Sequence, residues 1–169
     1  MKKIAILIIL CLLHAYDTNS LKSKEINKEF HKYSGYYFMY AQLKRLGNYS
    51  IPNKDSIWFV HLDFNNSLLE LIDGNSWKVV KTLEIKTYKK NIFSINGLDN
   101  LFLHLIIEYN NDKGQHGLDF ISDKDGIKKR LSSGFFVYDL KSIQDCKRYL
   151  KDWKREAEET NCNDCYGPP

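Results

Sequence analysis

From residue 35 onward, apolar and polar positions alternate in short runs that polar turn segments interrupt. The strand-like runs are 36–42, 57–64, 68–72, 77–88, 91–95, 101–109, 117–122 and 134–138. Between them lie Gly47-Asn48, Pro52-Asn53-Lys54-Asp55, Asn65-Asn66, Asp73-Gly74-Asn75, Asn96-Gly97, Asn110 to Gly114 and Asp123 to Gly126, residues that favour tight turns. About eight strands with hairpin-length links predict a mainly β fold, an antiparallel barrel or sandwich.

The alternation also assigns faces. In 77–88, Trp77, Val79, Leu83 and Ile85 fall on one side, and Lys78, Thr82, Glu84 and Lys86 on the other, so one side of this strand meets solvent. The run LFLHLIIEY at 101–109 is apolar on both sides apart from His104 and Glu108, which calls for a cover on its outer side. The segment 142–159 offers one. Ile143, Cys146, Leu150, Trp153 and Ala157 line one face of a C-terminal amphipathic α-helix, and Ser142 with Asp145 forms a start signal of the capping-box type.

The first residues, MKKIAILIILCLLHAYDTNS, read as a signal peptide over 1–20: two lysines, a ten-residue apolar run and a polar exit. That run is too short for a membrane helix, so no stable membrane span is expected after cleavage, and the mature chain is expected to be secreted or periplasmic. Residues 21–34 form an N-terminal arm or short helix with Leu21, Ile26 and Phe30 on a thin apolar stripe. The single domain then covers 35–159, and 160–169 is a cysteine-containing tail.

Composition adds limits. With 169 residues, 43% hydrophobic and 27% charged, the chain suits one soluble domain. Eleven Tyr and nine Phe favour strands. Loss of Lys2 and Lys3 leaves 23 basic against 21 acidic residues. The basic residues are scattered, which argues against a nucleic-acid partner.

Once Cys11 leaves, Cys146, Cys162 and Cys165 remain. An oxidising compartment favours a disulfide, with Cys146 to Cys162 or Cys165 preferred and Cys162 to Cys165 the alternative. Asn48 and Asn65 stand in glycosylation-type sequences. No nucleophile motif, phosphate loop or metal-ligand spacing is present, so neither enzyme activity nor a cofactor is expected. His61 and His104 are the two histidines inside strands.

The layout resembles a lipocalin. Tyr33-Ser34-Gly35-Tyr36-Tyr37-Phe38 is similar to the family's first-strand GxW pattern, with Tyr37 in the place of Trp, and Lys141 in FFVYDLKS stands about where the family has an arginine against that Trp. No counterpart of the family's TDY-like motif is present. GFFVYDLKSIQDCKRYLKDW also looks like the last strand and capping helix of a pleckstrin-homology-type domain. The lipocalin resemblance implies a carrier of a small apolar or amphipathic ligand, held by Tyr37, Met39, Phe59, His61 and His104, taken as inward positions or neighbours of them. The alternative is an exported module with a packed core that binds or inhibits a protein partner.

Overall fold

The computed structural model describes residues 26–40, 43, 46, 49–107, 116–124 and 126–159. The expected signal segment, Leu21, Asn48, Cys162, Cys165 and the tail lie outside these residues. Eight strands, β1 (Gly35–Phe38), β2 (Ile57–Asp63), β3 (Leu68–Asp73), β4 (Lys78–Lys89), β5 (Ile92–Ile95), β6 (Leu101–Ile106), β7 (Gly117–Lys124) and β8 (Ile127–Phe136), precede one helix, α1 (Ile143–Glu159). They form a closed antiparallel barrel in chain order. Closure comes from the pairing of Tyr37 with Phe136 and of Phe38 with Phe135, which leaves the sheet without a free edge. This layout is consistent with a calycin-like barrel.

Gly35 opens β1 at φ +147°, and a Cβ there would overlap the Phe136 ring, so the approach of β8 requires glycine. Alternation then turns Tyr37 inward and Phe38 outward, and both are wholly buried.

Register shifts in the β2–β3, β3–β4, β4–β5 and β7–β8 pairings break the simple alternation, and two of them bear on the faces below. Leu71 pairs with Lys81 but Ile72 with Val79, leaving Val80 as an extra residue. Phe120 pairs with Ser132 but Ile121 with Arg130, leaving Leu131 as another. The first bulge corrects the expected face of β4. Leu83 and Ile85 are buried in the barrel interior, whereas Val79 lies opposite outward-facing Ile72 and is 38% exposed. Trp77 precedes the strand at φ +55° and joins the outer layer. The eighth strand also begins earlier than expected, because β7 pairs with the polar stretch Ile127–Arg130 as far as Lys124.

The helix starts as its sequence predicts. The Asp145 N–H donates to Ser142 Oγ at 3.2 Å, and the Asp145 carboxylate accepts from Ser142 Oγ at 2.7 Å and from the Lys141 N–H at 3.2 Å. Cys146 and Leu150 are its buried residues. They pack with Phe38, Phe59, Ile72 and Leu140, flanked by Trp58, Phe135, Tyr149 and Trp153. The helix thus covers outward-facing residues of β1, β2, β3 and β8, and the expected cover over β6 is not the one formed.

Candidate functional site

The barrel interior is the largest continuous apolar environment. Tyr37, Met39, Leu62, Leu71, Ile85 and Phe120 are among the side chains that fill it, each without measurable exposure. Its two ends are built differently.

At the end where β1 begins, a 3-10 turn (Lys28–Tyr33) crosses the opening, started by Asn27, whose side chain accepts from the Glu29 N–H at 3.1 Å. Phe30 of this turn packs on Phe93 and Phe64 with ring centroids 5.1 and 6.0 Å apart. The Tyr37 hydroxyl donates to the Tyr33 carbonyl at 2.8 Å. Burial, followed by the neighbouring Tyr33 and Tyr138, drives the Tyr37 phenol far above its ordinary range, so it remains a neutral donor. The Tyr37 ring lies against Phe136, 5.3 Å away. Lys141, which the resemblance sets near this ring, is exposed at the start of α1.

At the other end, the loop between β1 and β2 turns Leu43, Leu46 and Ile51 into the core. Among the described residues, Lys81 Nζ donates to the Ser50 carbonyl at 2.8 Å and the Tyr49 hydroxyl donates to the Asn100 carbonyl at 3.2 Å, both tying the loop to the rim. The Leu43 N–H also donates to the Lys54 carbonyl at 3.2 Å, closing the loop on itself.

Two buried polar atoms have no hydrogen-bond partner among the described residues, Thr87 Oγ1 and His116 Nδ1. Thr87 sits opposite Phe93 on the face of β4 that carries Leu83 and Ile85, so its hydroxyl belongs to the interior row. His116 stands edge-on to Tyr33, 4.6 Å between ring centroids. Burial, then Lys32, lowers its pKa, which favours the neutral ring at pH 7.

Of the five residues read from the sequence as a ligand set, Tyr37 and Met39 lie inside the barrel. Phe59, His61 and His104 do not line the interior, because strand parity places Val60 and Leu62 of β2, and Leu103 and Leu105 of β6, there instead. Phe59 is fully buried beneath α1. His61 Nδ1 lies 2.8 Å from Glu70 Oε2 on β3, and its ring stacks on Tyr36 at 4.6 Å. Burial, then Cys146, Glu70 and Asp145, raises the Tyr36 pKa. His104 faces Asp119 across β6 and β7. Both histidines thus stand opposite an acidic residue on the barrel's outer wall. Lys81, Thr87 and Ser132 are among the inward polar residues; Lys81 follows from alternation with Leu83 and Ile85, and the bulge at Val80 shifts only Val79 and the residues before it.

A surface cleft of about 610 Å³ lies beside the outer layer, lined by Asn53, Asp55, Ser56, Trp58, Asp73, Asn75 and Lys154. Lys154 Nζ stands 5.3 Å from the Trp58 ring centroid. Asp73 is buried at its base. Burial acts to raise its pKa, but donation from the Ser56 and Ser76 hydroxyls and from the Ser76 and Asn75 N–H groups outweighs this and holds it at about 2. Those bonds fasten the β3–β4 turn and leave the carboxylate committed to structure.

Cys146 is a buried free thiol, pushed up to about 12 by burial and then by Asp145. Among the described residues, no group of three or more His, Cys, Asp or Glu could hold a metal ion, and no helix is long and apolar enough to cross a membrane. No family model, curated protein or solved structure matches the chain.

Proposed function

We propose that the protein is an exported, non-enzymatic carrier of lipocalin type that holds a small apolar or amphipathic molecule inside the barrel. The observation that carries this reading is the unpartnered Thr87 hydroxyl on an interior row of apolar side chains. Such a hydroxyl costs about 1–3 kcal/mol in a packed core, and a polar atom of a bound molecule, or a water beside it, offsets that cost. The asymmetry of the ends agrees: one is sealed by packed rings, and the other is covered by a loop whose side-chain ties to the rim, among the described residues, are those of Lys81 and Tyr49. The helix lies on outward-facing side chains and not across an opening, which favours this reading over a pleckstrin-homology-type one.

The test is extraction of the purified chain with organic solvent, followed by mass spectrometry and titration with a neutral fluorescent apolar probe. A stoichiometric small molecule in the extract, or saturable probe binding that Tyr37→Trp or Met39→Trp weakens, is the expected result. An empty extract together with no saturable probe binding rejects the carrier.

One observation favours the second reading, an exported module that binds a protein. On the wall formed by β4 to β6, Tyr88 is 58% exposed and packs against Phe102 at 4.7 Å, with half-exposed Ile92 and Ile106 nearby. An apolar group of this kind marks an interaction surface when it is continuous. Charge introduced by Tyr88→Asp would abolish capture of such a partner and leave probe binding intact.

A further inference from the structure

We infer that the surface cleft beside Trp58 is a binding site for a neutral carbohydrate, with a pyranose ring laid on the indole and its hydroxyls held at the rim. The site lies outside the barrel and goes beyond the carrier reading, so each can fail without the other.

The cleft is built before any ligand arrives. Asn53, in the left-handed region at φ 51°, turns the chain into the short 3-10 turn Lys54–Ser56. The Gly74 N–H donates to the Ser56 carbonyl at 2.7 Å, and Ser56 Oγ donates to the Asp73 carboxylate, so this turn and the β3–β4 turn form one rim. Glycine is required at 74, because a Cβ there would stand 2.7 Å from Trp58 Cδ1. The Trp58 ring is half-buried and lines the cleft. Wholly buried Phe38 stacks on it at 5.9 Å with 8° between the planes, and Trp153 braces it at 5.9 Å. A ring fixed in this way spares a ligand the entropy of ordering it.

Frame and rim differ in their hydrogen bonding. Ser56 and Asp73 are committed to the frame, whereas the side chains of Asn53, Asp55 and Asn75 are exposed and hold no hydrogen bond or ion pair among the described residues. Each carboxamide offers donors and an acceptor, and the Asp55 carboxylate accepts. Lys154 Nζ, 5.3 Å from the ring centroid, makes a contact that is weak at an exposed site, so its ammonium can swing aside and donate to a ligand oxygen. With a free carboxylate and an ammonium on one cleft, a net anion meets Asp55 and a net cation meets Lys154, which favours a neutral ligand. A pyranose combines what the cleft asks for: C–H groups on one face for the indole, and hydroxyls around its edge for the amides and the carboxylate. At about 610 Å³ the cleft is within the size range of small-molecule sites.

The experiment follows the Trp58 indole N–H by NMR in the full chain, assigned by its loss in Trp58→Phe, while cellobiose, maltose, lactose, mannobiose or diacetylchitobiose is added to millimolar concentration. At least one disaccharide should shift this signal saturably. Asp55→Ala and Asn75→Ala should each weaken that binding about fivefold, the loss expected of one hydrogen bond, and Tyr88→Thr, outside the cleft, should leave it unchanged. The absence of a saturable shift with every disaccharide, or undiminished affinity when Asp55→Ala and Asn75→Ala are combined, overturns the site. Tighter binding of adenosine, which also stacks on an indole, overturns the ligand class. Asp55 and Asn75 are exposed, so both variants are expected to fold as the unaltered chain does, and thermal unfolding of each separates loss of binding from loss of fold.

Discussion

The wall made by β8, β1 and β2 is buried on both faces, whereas the wall made by β4, β5 and β6 is buried on one. On β1, inward Tyr37 and outward Phe38 are equally inaccessible. On β6, inward Leu101, Leu103 and Leu105 are buried, while outward Phe102, His104 and Ile106 are half-exposed. Chain reach does not explain the difference, because β2 and β6 each lie two strands from β8 and so at a similar distance from the start of α1. Aromatic density does. The covered wall offers Phe38, Trp58, Phe59 and Phe135 to the apolar stripe of α1, whereas the outward face of β6 offers one large ring, Phe102, beside His104 and Ile106, and so a smaller burial gain.

Substitutions that separate the two walls test this account. Gly134→Val should have the largest effect, since a Cβ there overlaps Met39 Sδ and lies 2.6 Å from the Phe38 carbonyl oxygen. The seam between β8 and β1 cannot yield by moving a flexible side-chain tip alone, so a loss of at least about 4 kcal/mol in urea unfolding is expected. Phe38→Ala removes the ring around which Trp58, Phe59, Phe135, Tyr149 and Trp153 gather. It should cost about 3–5 kcal/mol and free the tryptophans to fluoresce as exposed residues.

Acid probes the edge of the covered wall. The pKa of Asp73 is about 2 in the folded chain, below its ordinary value of 3.8. The unfolded chain therefore takes up the proton first as pH falls. The stability this carboxylate contributes is complete above about pH 4 and is lost as pH falls through 2. Asp73→Asn should flatten that part of the stability profile while lowering stability at pH 7 by about 1–3 kcal/mol. The smallest effect belongs to the bare wall: Tyr88→Thr should change stability by less than about 0.5 kcal/mol. A loss near that of Phe38→Ala would mean that the two walls are energetically alike.

Much of the architecture was legible. Turn residues delimited most strands, and the helix was marked by its stripe from Ile143 to Trp153 and by Ser142 with Asp145. The early part of β8 was hidden because Lys128, Lys129 and Arg130 carry no apolar alternation; they are strand because β7 pairs with them. Face assignment failed where a single inserted residue changed phase, as at Val80. The interior set was readable in part. Tyr37 and Met39 follow from Gly35 and simple alternation, whereas the outward turn of Phe59, His61 and His104 depends on which neighbours face each strand. A strand histidine opposite an acid resembles a polar anchor until pairing shows that both stand on the outer wall.

Cys146 gives the covered wall its own clock. Its sulfur is sealed between α1 and the sheet, and with a pKa of about 12 almost no thiolate is present at neutral pH. Alkylation therefore waits for the helix to lift. The labelling rate of reduced protein consequently reports how often α1 leaves its seat, separately from the opening of the barrel beneath it.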